Sequence, residues 1–213
     1  MRHGYIQKGR SRRYIGQTDL PLSSRGINQA IRWRTWLQKL GLEKIFASDL
    51  QRSKQTAELI QGDNGPPVHL LTELREIDLG LWDGEMMSVV REQFPAAYKE
   101  RGVRIKSFRP PHGESFRDLS RRIVPFFNEI RESTSGNVLV VGHAGVNRVI
   151  VCHLLGIPLD RVLSFSQDYG TIWVIEPEGS SIRSVGEVSR LTLHLDGENG
   201  TEVSGPALSR INL

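Results

Sequence analysis

Val138-Leu139-Val140-Val141-Gly142-His143-Ala144-Gly145 joins a strand to a helix and sets a histidine at the joint. Its first four residues are apolar, mostly β-branched and bounded by Gly136-Asn137, the pattern of a buried strand. An apolar helical run follows at once, through Val146, Val149, Ile150, Cys152 and Leu155, and is stopped by Gly156 and Pro158. His143 therefore falls at the edge where open α/β sheets bind their ligands. A second stretch, Arg2-His3-Gly4, places another histidine beside an arginine, with a glycine to let the backbone turn. Two such histidines brought together would make one phosphate site, one as nucleophile and the other as charge partner.

Working outward, strands and helices alternate. Gly16 to Ser23 is turn-rich and ends in candidate N-caps, Ser23 or Ser24. Ile27, Ala30, Ile31, Leu37 and Leu40 then recur at helical spacing up to Gly41, a C′ stop. Lys44-Ile45-Phe46-Ala47 reads as a short strand and Leu50 to Gln61 as a helix, with Arg52 in its first turn among amides that favour anions. Val68 to Leu71 is another strand. The stretch from Thr72 to Glu85 crowds five acids, Glu73, Glu76, Asp78, Asp83 and Glu85, among Leu74, Leu79, Leu81 and Trp82, so it should fold inward. Met86 to Arg101 reads as helix broken by Pro95, and Val103 to Gly113 as an irregular rim offering Arg109 and His112 as substrate contacts. From Glu114 a helix runs with Phe116, Leu119, Ile123, Phe127 and Ile130 on one face and a kink expected at Pro125. Thr171 to Ile175 is a further strand. The alternation implies an α/β sheet covered on both faces. Beyond Glu178 the character changes: Leu191 to Leu195 alternates with period two and Asp196 to Gly200 can turn, so an edge hairpin or a loosely attached tail is expected over 179–213.

Composition narrows the function classes. A chain of 213 residues suits one domain with at most an appendage. No apolar run reaches the length of a membrane span, and the start carries no apolar signal segment. A single cysteine, Cys152, can form no internal disulfide and sits in an apolar helical run, so a reducing compartment, the cytoplasm, is expected. The net charge is +4 and most basic residues are arginine, the side chain suited to bidentate contact with phosphate or carboxylate. The basic residues interleave with acids, without a zinc-ligand cluster or helical basic arm, which argues for a small anionic partner over nucleic acid. Lys8 to Arg13 is either a solvated loop or an electrostatic funnel toward the phosphate.

Four elements occur in one order: Arg2-His3-Gly4, Ser48-Asp49-Leu50-Gln51-Arg52-Ser53-Lys54-Gln55-Thr56-Ala57, Leu74-Arg75-Glu76-Ile77-Asp78-Leu79-Gly80-Leu81-Trp82-Asp83-Gly84, and Gly142-His143. Together, over residues 2 to 178, they resemble the histidine phosphatase superfamily, the phosphoglycerate mutase-like fold. Tyr14 to Ser23 and His112-Gly113-Glu114-Ser115 are most similar to its α-ribazole phosphatase and broad-phosphatase branch. The resemblance implies a three-layer α/β/α sandwich on a mostly parallel sheet, with residues 1–178 as the catalytic domain. It implies His3 as nucleophile, Arg2, Arg52 and His143 around the phosphate, and Glu76 as proton donor. Gly4, Gln17 and Ala144 are expected to touch substrate, with no metal and no cofactor.

The chemistry supports those roles. A neutral imidazole attacks a phosphate anion without the charge opposition an anionic nucleophile meets, and two guanidinium groups with a second imidazole can hold the equatorial oxygens. The departing alkoxide needs a proton, which suits a carboxyl whose pKa is raised toward neutrality by Leu74, Leu79 and Trp82. Spacing alone leaves Glu76, Asp78 and Asp83 open for that task. The sequence also departs from the family. Only Met1 precedes Arg2 where an apolar strand is usual, so either the chain start is mis-assigned or truncated, or the sheet lacks a strand. Tyr5 stands where Glu or Gln is common, Gly9 where Asn often touches phosphate, and Ala144 where glycine is frequent, a change expected to be tolerated. The expected activity is hydrolysis of a small phosphorylated metabolite, with α-ribazole 5′-phosphate as a candidate. The alternatives are phosphoglycerate mutase-type transfer and an inactive phosphate-binding module.

Overall fold

The computed structural model describes residues 1–7, 9 and 11–175, together with the backbone of 182–185 and 208–210. Ser23 caps α1 (Ser24–Leu37) by accepting from the Gly26 amide, and Ala30, Trp33 and Leu37 line its buried face. A 3-10 turn follows and ends at Gly41, whose φ of 60° is the left-handed geometry expected of a C′ stop. Then come β1 (Leu42–Ser48), α2 (Gln51–Gln61) and β2 (Val68–Leu71). The helical stretch interrupted by Pro95 resolves into α3 (Met87–Gln93) and α4 (Pro95–Val103), with the proline at the first turn, where its missing N–H costs nothing.

A capping box opens α5 (Phe116–Ser133): Ser115 accepts from the Asp118 amide while the Asp118 carboxylate accepts from the Ser115 amide. The helix continues through Pro125 as one assigned element. After it, β3 (Asn137–Val141) leads through His143 into α6 (Ala144–Leu154), and β4 (Ile172–Ile175) follows.

The central strands are parallel in the order β2-β1-β3. Period-two alternation sends their side chains into two cores. Ile45 and Ala47 of β1 and Leu139 and Val141 of β3 pack with α1 and α2, through Ala30, Trp33, Ala57 and Ile60. Phe46 and Val140, one residue out of phase, pack instead with Leu119, Ile123, Val146 and Val149 of α5 and α6. Helices thus cover both faces, which is the three-layer α/β/α architecture.

The lane for which the sequence offered only Met1 is occupied by Met1–His3 themselves. Gly142 N donates to Met1 O at 2.9 Å, His3 N to Gly142 O at 3.0 Å, and Arg2 N to Thr171 O at 2.9 Å. The result is a single parallel bridge, Arg2 to Gly142, and not a named strand, but it sets His3 between β3 and the start of β4.

Past position 178, β5 (Ile182–Val185) pairs antiparallel with β4, and β6 (Leu208–Arg210) with β5. The expected alternating stretch, Leu191 to Leu195 with its turn at 196–200, lies outside the described residues. Among the described residues no helix is long and apolar enough to cross a membrane. Ser115→Ala should destabilise the protein by about 1 kcal/mol through loss of the α5 cap, read as a fall of roughly 2–4 °C in Tm for a chain of this size.

Candidate active site

The two histidines meet. The His3 and His143 ring centroids lie 5.1 Å apart with their planes at 60°. His3 follows the bridge to Gly142, and His143 caps α6 immediately after β3, so one short backbone lane sets both. Both rings are buried, with 3% and 0% exposure.

Their tautomers follow from their partners. His3 Nδ1 lies 2.8 Å from Gly4 O, and a carbonyl only accepts, so Nδ1 carries the proton and Nε2 keeps its lone pair. His143 is the reverse. Arg52 Nε donates to His143 Nδ1 at 3.2 Å, and arginine only donates, so the proton is on Nε2. That buried Nε2–H has no partner among the described residues. Burial, with the charges of Arg2 and Arg52 added, holds His3 well below the ordinary histidine pKa. Burial, then Arg52 and His3, does the same for His143, so both rings are neutral.

Arg52 is 1% exposed and bonds in three directions. Besides His143, it donates from Nη1 to Thr18 O at 2.7 Å and from Nη2 to Gly16 O at 2.6 Å. Three of its five N–H groups are used, which leaves two for an oxyanion. The carbonyls it meets are presented by Asp83, which accepts from the amides of Gly16, Gln17 and Thr18 and from the Thr18 hydroxyl, all at 2.7–2.8 Å. Arg2 donates from Nη1 to Gln167 O, while its buried Nε has no partner among the described residues. Burial lowers the pKa of both guanidinium groups, and Glu76 opposes that shift in both.

The acidic loop does fold inward: Leu74 and Trp82 are fully buried, and Ile77 and Leu79 nearly so. Its three candidate acids separate by their partners. Asp83 is spent on the 16–18 backbone, and Asp78 accepts from the Gly80 amide. Glu76 reaches α6, where the Gly145 amide donates to Oε1 at 3.0 Å and to Oε2 at 3.1 Å, while Ile77 N also donates to Oε1. A Cβ on residue 145 would stand 2.5 Å from Glu76 Oε1, so this approach requires glycine there. Arg122 of α5 ties the loop down by donating to the carbonyls of Glu73 and Arg75 and to the Glu114 carboxylate.

Other expected contacts fall differently. The Gly4 amide donates to Thr56 Oγ1 at 3.1 Å, so Gly4 supplies close approach and not a donor; a Cβ there would lie 2.7 Å from Gly26 O. Gln17 lies at the site but donates its side-chain amide to Glu76 O at 3.2 Å. Ala144 is the first residue of α6, without the positive φ that would demand glycine. Arg109, expected as a substrate contact, donates from Nε and Nη2 to the Asp118 carboxylate, both at 2.6 Å. His112 is exposed at φ 63°, an uncommon geometry for a residue with a side chain. Arg13 donates to Gly84 O, while Lys8 and Arg10 of the basic segment lie outside the described residues. Cys152 is buried and its thiol is pushed up to about 11 by desolvation, which suits a core filler.

Sequence reasoning missed the stretch Gln167-Asp168-Tyr169-Gly170, which supplies a carbonyl to Arg2 and a ring against His3. It carries no helical or strand period and shares no motif with the two histidines. Only its position before an apolar strand marked it.

Comparison with known proteins shows what the chain as a whole is similar to. The family model of the histidine phosphatase superfamily (branch 1) matches residues 1–187. The chain is 31% identical over 175 residues to the adenosylcobalamin/alpha-ribazole phosphatase of Escherichia coli K12, covering 80% of this chain and 84% of that protein. It is likewise 31% identical over 159 residues to a Salmonella arizonae protein called a probable phosphoglycerate mutase GpmB, covering 74% of each. Among solved structures, the alpha-ribazole phosphatase from Shigella flexneri superposes with a TM-score of 0.75 at 28% identity, over 83% of this chain and 89% of that one.

Two outcomes follow from the geometry. Unfolding returns His3 and His143 to an ordinary pKa near about 6.5, so the unfolded chain binds more protons below that pH. The stability that burial of neutral rings carries is present above about pH 6.5 and lost as pH falls, so Tm should drop between pH 7 and 5. The slope should be shallower in His143→Asn, as thermal melts across that range would show. Arg109→Ala, in turn, should leave kcat/KM within about twofold of wild type, since Arg109 is an exposed partner of Asp118.

Proposed function

The chain belongs to the histidine phosphatase superfamily, and we propose that it is a metal-independent phosphomonoester hydrolase that works through a phosphohistidine on His3. The observation that carries the assignment of residues is the convergence of two neutral imidazoles of opposite tautomer, 5.1 Å apart, beside the buried Arg52 and the half-buried Arg2. His3 Nε2 attacks phosphorus, an N–P bond forms and the ester P–O bond breaks. Arg2, Arg52 and His143 Nε2–H hold the three equatorial oxygens, where charge collects in the transition state. Glu76 gives its proton to the departing alkoxide oxygen. It then takes one from water as that water attacks phosphorus, and the N–P bond breaks to release inorganic phosphate. The main chain of residues 16–18, fixed by Asp83, keeps Arg52 in place throughout.

The substrate is a small phosphorylated metabolite bound by residues 1–178, with 179–213 as an extension. α-Ribazole 5′-phosphate is the candidate, supported by the names of the relatives and by the likeness of Tyr14 to Ser23 and His112 to Ser115. The mutase-type alternative has its own support in the GpmB relative.

The test is a phosphatase screen over α-ribazole 5′-phosphate, p-nitrophenyl phosphate and the phosphoglycerates, with wild type beside two variants. His3→Ala should lose at least about 10³-fold in kcat. Glu76→Gln should lose about 10²–10⁴-fold, and quenching in alkaline detergent, where an N–P bond survives, should leave label from labelled substrate on the protein in Glu76→Gln but not in His3→Ala. Interconversion of 2- and 3-phosphoglycerate without phosphate release would defeat the hydrolase reading in favour of the mutase.

A further inference from the structure

We propose that Tyr169 is a positioning residue of the phosphate site, its ring holding the Arg2 guanidinium in one plane and walling His3, with Tyr5 packed on it as a brace. The inference rests on the phosphate-site reading above. It concerns two residues that neither the four sequence elements nor the mechanism uses.

Four side chains run in a row from the site outward. Arg2 Cζ stands 3.8 Å from the centre of the Tyr169 ring, and the Tyr169 and Tyr5 rings lie 4.5 Å apart. Arg25 Cζ stands 4.0 Å from the centre of Tyr5. The Tyr169 ring also lies 5.5 Å from that of His3, tilted by 58°. These distances suit cation–π and ring–ring contact. Neither tyrosine belongs to the two apolar cores, so the row does not continue ordinary packing.

The backbone is arranged to produce this contact. Gly170, at φ 77°, donates its amide to His3 O, and Arg2 N donates to Thr171 O. The turn that carries Tyr169 is therefore laced to Arg2 and His3 themselves. Buried Gln29 links the two tyrosines: its Oε1 accepts from Tyr5 N at 2.9 Å and its Nε2 donates to Tyr169 O at 3.3 Å. Tyr5 stands where the family commonly has Glu or Gln, and its ring partner here is Tyr169.

The consequence falls on Arg2. One end of its guanidinium is tied through Nη1 to Gln167 O and a face lies on Tyr169, while the buried Nε has no partner among the described residues. With one end tied and one face covered, the guanidinium is held in one orientation in which its remaining N–H groups are left for a phosphoryl oxygen. An arginine without the ring would have to order its long side chain each time an oxyanion bound.

The experiment compares Tyr169→Leu, Tyr169→Phe and Tyr5→Leu with wild type. It reads kcat and KM for p-nitrophenyl phosphate, the inhibition constants of orthovanadate and inorganic phosphate, and Tm. Tyr169→Leu should raise KM and both inhibition constants about tenfold. Tyr169→Phe keeps the ring and should stay within about twofold of wild type. Tyr5→Leu should fall between the two, and it carries the test if Tyr169→Leu does not fold. A merely structural role would lower the amount of active enzyme, and so the apparent kcat, and leave KM and the inhibition constants unmoved; that result overturns the inference. Equal losses in Tyr169→Phe and Tyr169→Leu also overturn it, by assigning the effect to the hydroxyl. Either result in an active wild type leaves the phosphatase reading standing. A wild type that neither hydrolyses p-nitrophenyl phosphate nor binds vanadate overturns both.

Discussion

A guanidinium buried to 1% exposure, with no carboxylate at ion-pair distance among the described residues, is the constraint on which this molecule turns. Removing a charge from water is costly unless its hydrogen bonds are met. Arg52 is met by two parts of the chain far apart in sequence: His143 at the head of α6, and the carbonyls of Gly16 and Thr18. Each of those partners is itself fixed. Asp83 holds the 16–18 backbone, and β3 delivers His143. The arginine is therefore the peg on which the walls of the site hang.

The chemistry follows from what that peg does to its neighbours. Donation from Arg52 Nε decides which nitrogen of His143 is protonated, as the Gly4 carbonyl decides it for His3. One imidazole is left with a lone pair and the other with an N–H, although the residues are chemically identical. Positive charge from Arg2 and Arg52 and the loss of water keep both rings neutral, the state in which a nucleophile and a neutral donor work. The same exclusion of water strengthens every contact made to developing negative charge.

Support for the site extends well beyond it. Arg122 on α5 fastens the carbonyls of the acidic loop, so a helix of the second core sets where Glu76 stands. Thr56 on α2 accepts from the Gly4 amide, and Ser53 donates to Val141 O, which binds α2 to both histidine segments. The α/β layers thus act as a frame that holds short, irregular pieces within hydrogen-bond tolerance of one another.

The elements with strong local signals were legible in the chain itself. β3 and α6 announce themselves by an apolar run changing to helical period, α5 by its five-residue apolar face, and the α3–α4 break by Pro95. The inward acidic loop was legible because large apolar residues among acids have few other places to go. Local pattern could not choose among Glu76, Asp78 and Asp83, because their spacing is similar and only the partners each meets across the fold differ. Nor could it show that Arg109 is engaged by Asp118, that the Gly4 amide is taken by Thr56, or that Tyr169 lies on Arg2. By itself the sequence determined which segments of the central layers become strands and helices, and that His143 stands where one passes into the other, since hydrophobic period and capping act over a few residues. Tertiary structure alone decided which nitrogen carries each proton, which acid reaches α6 and which ring flanks His3, because those depend on hydrogen bonds and stacking between groups up to 167 positions apart.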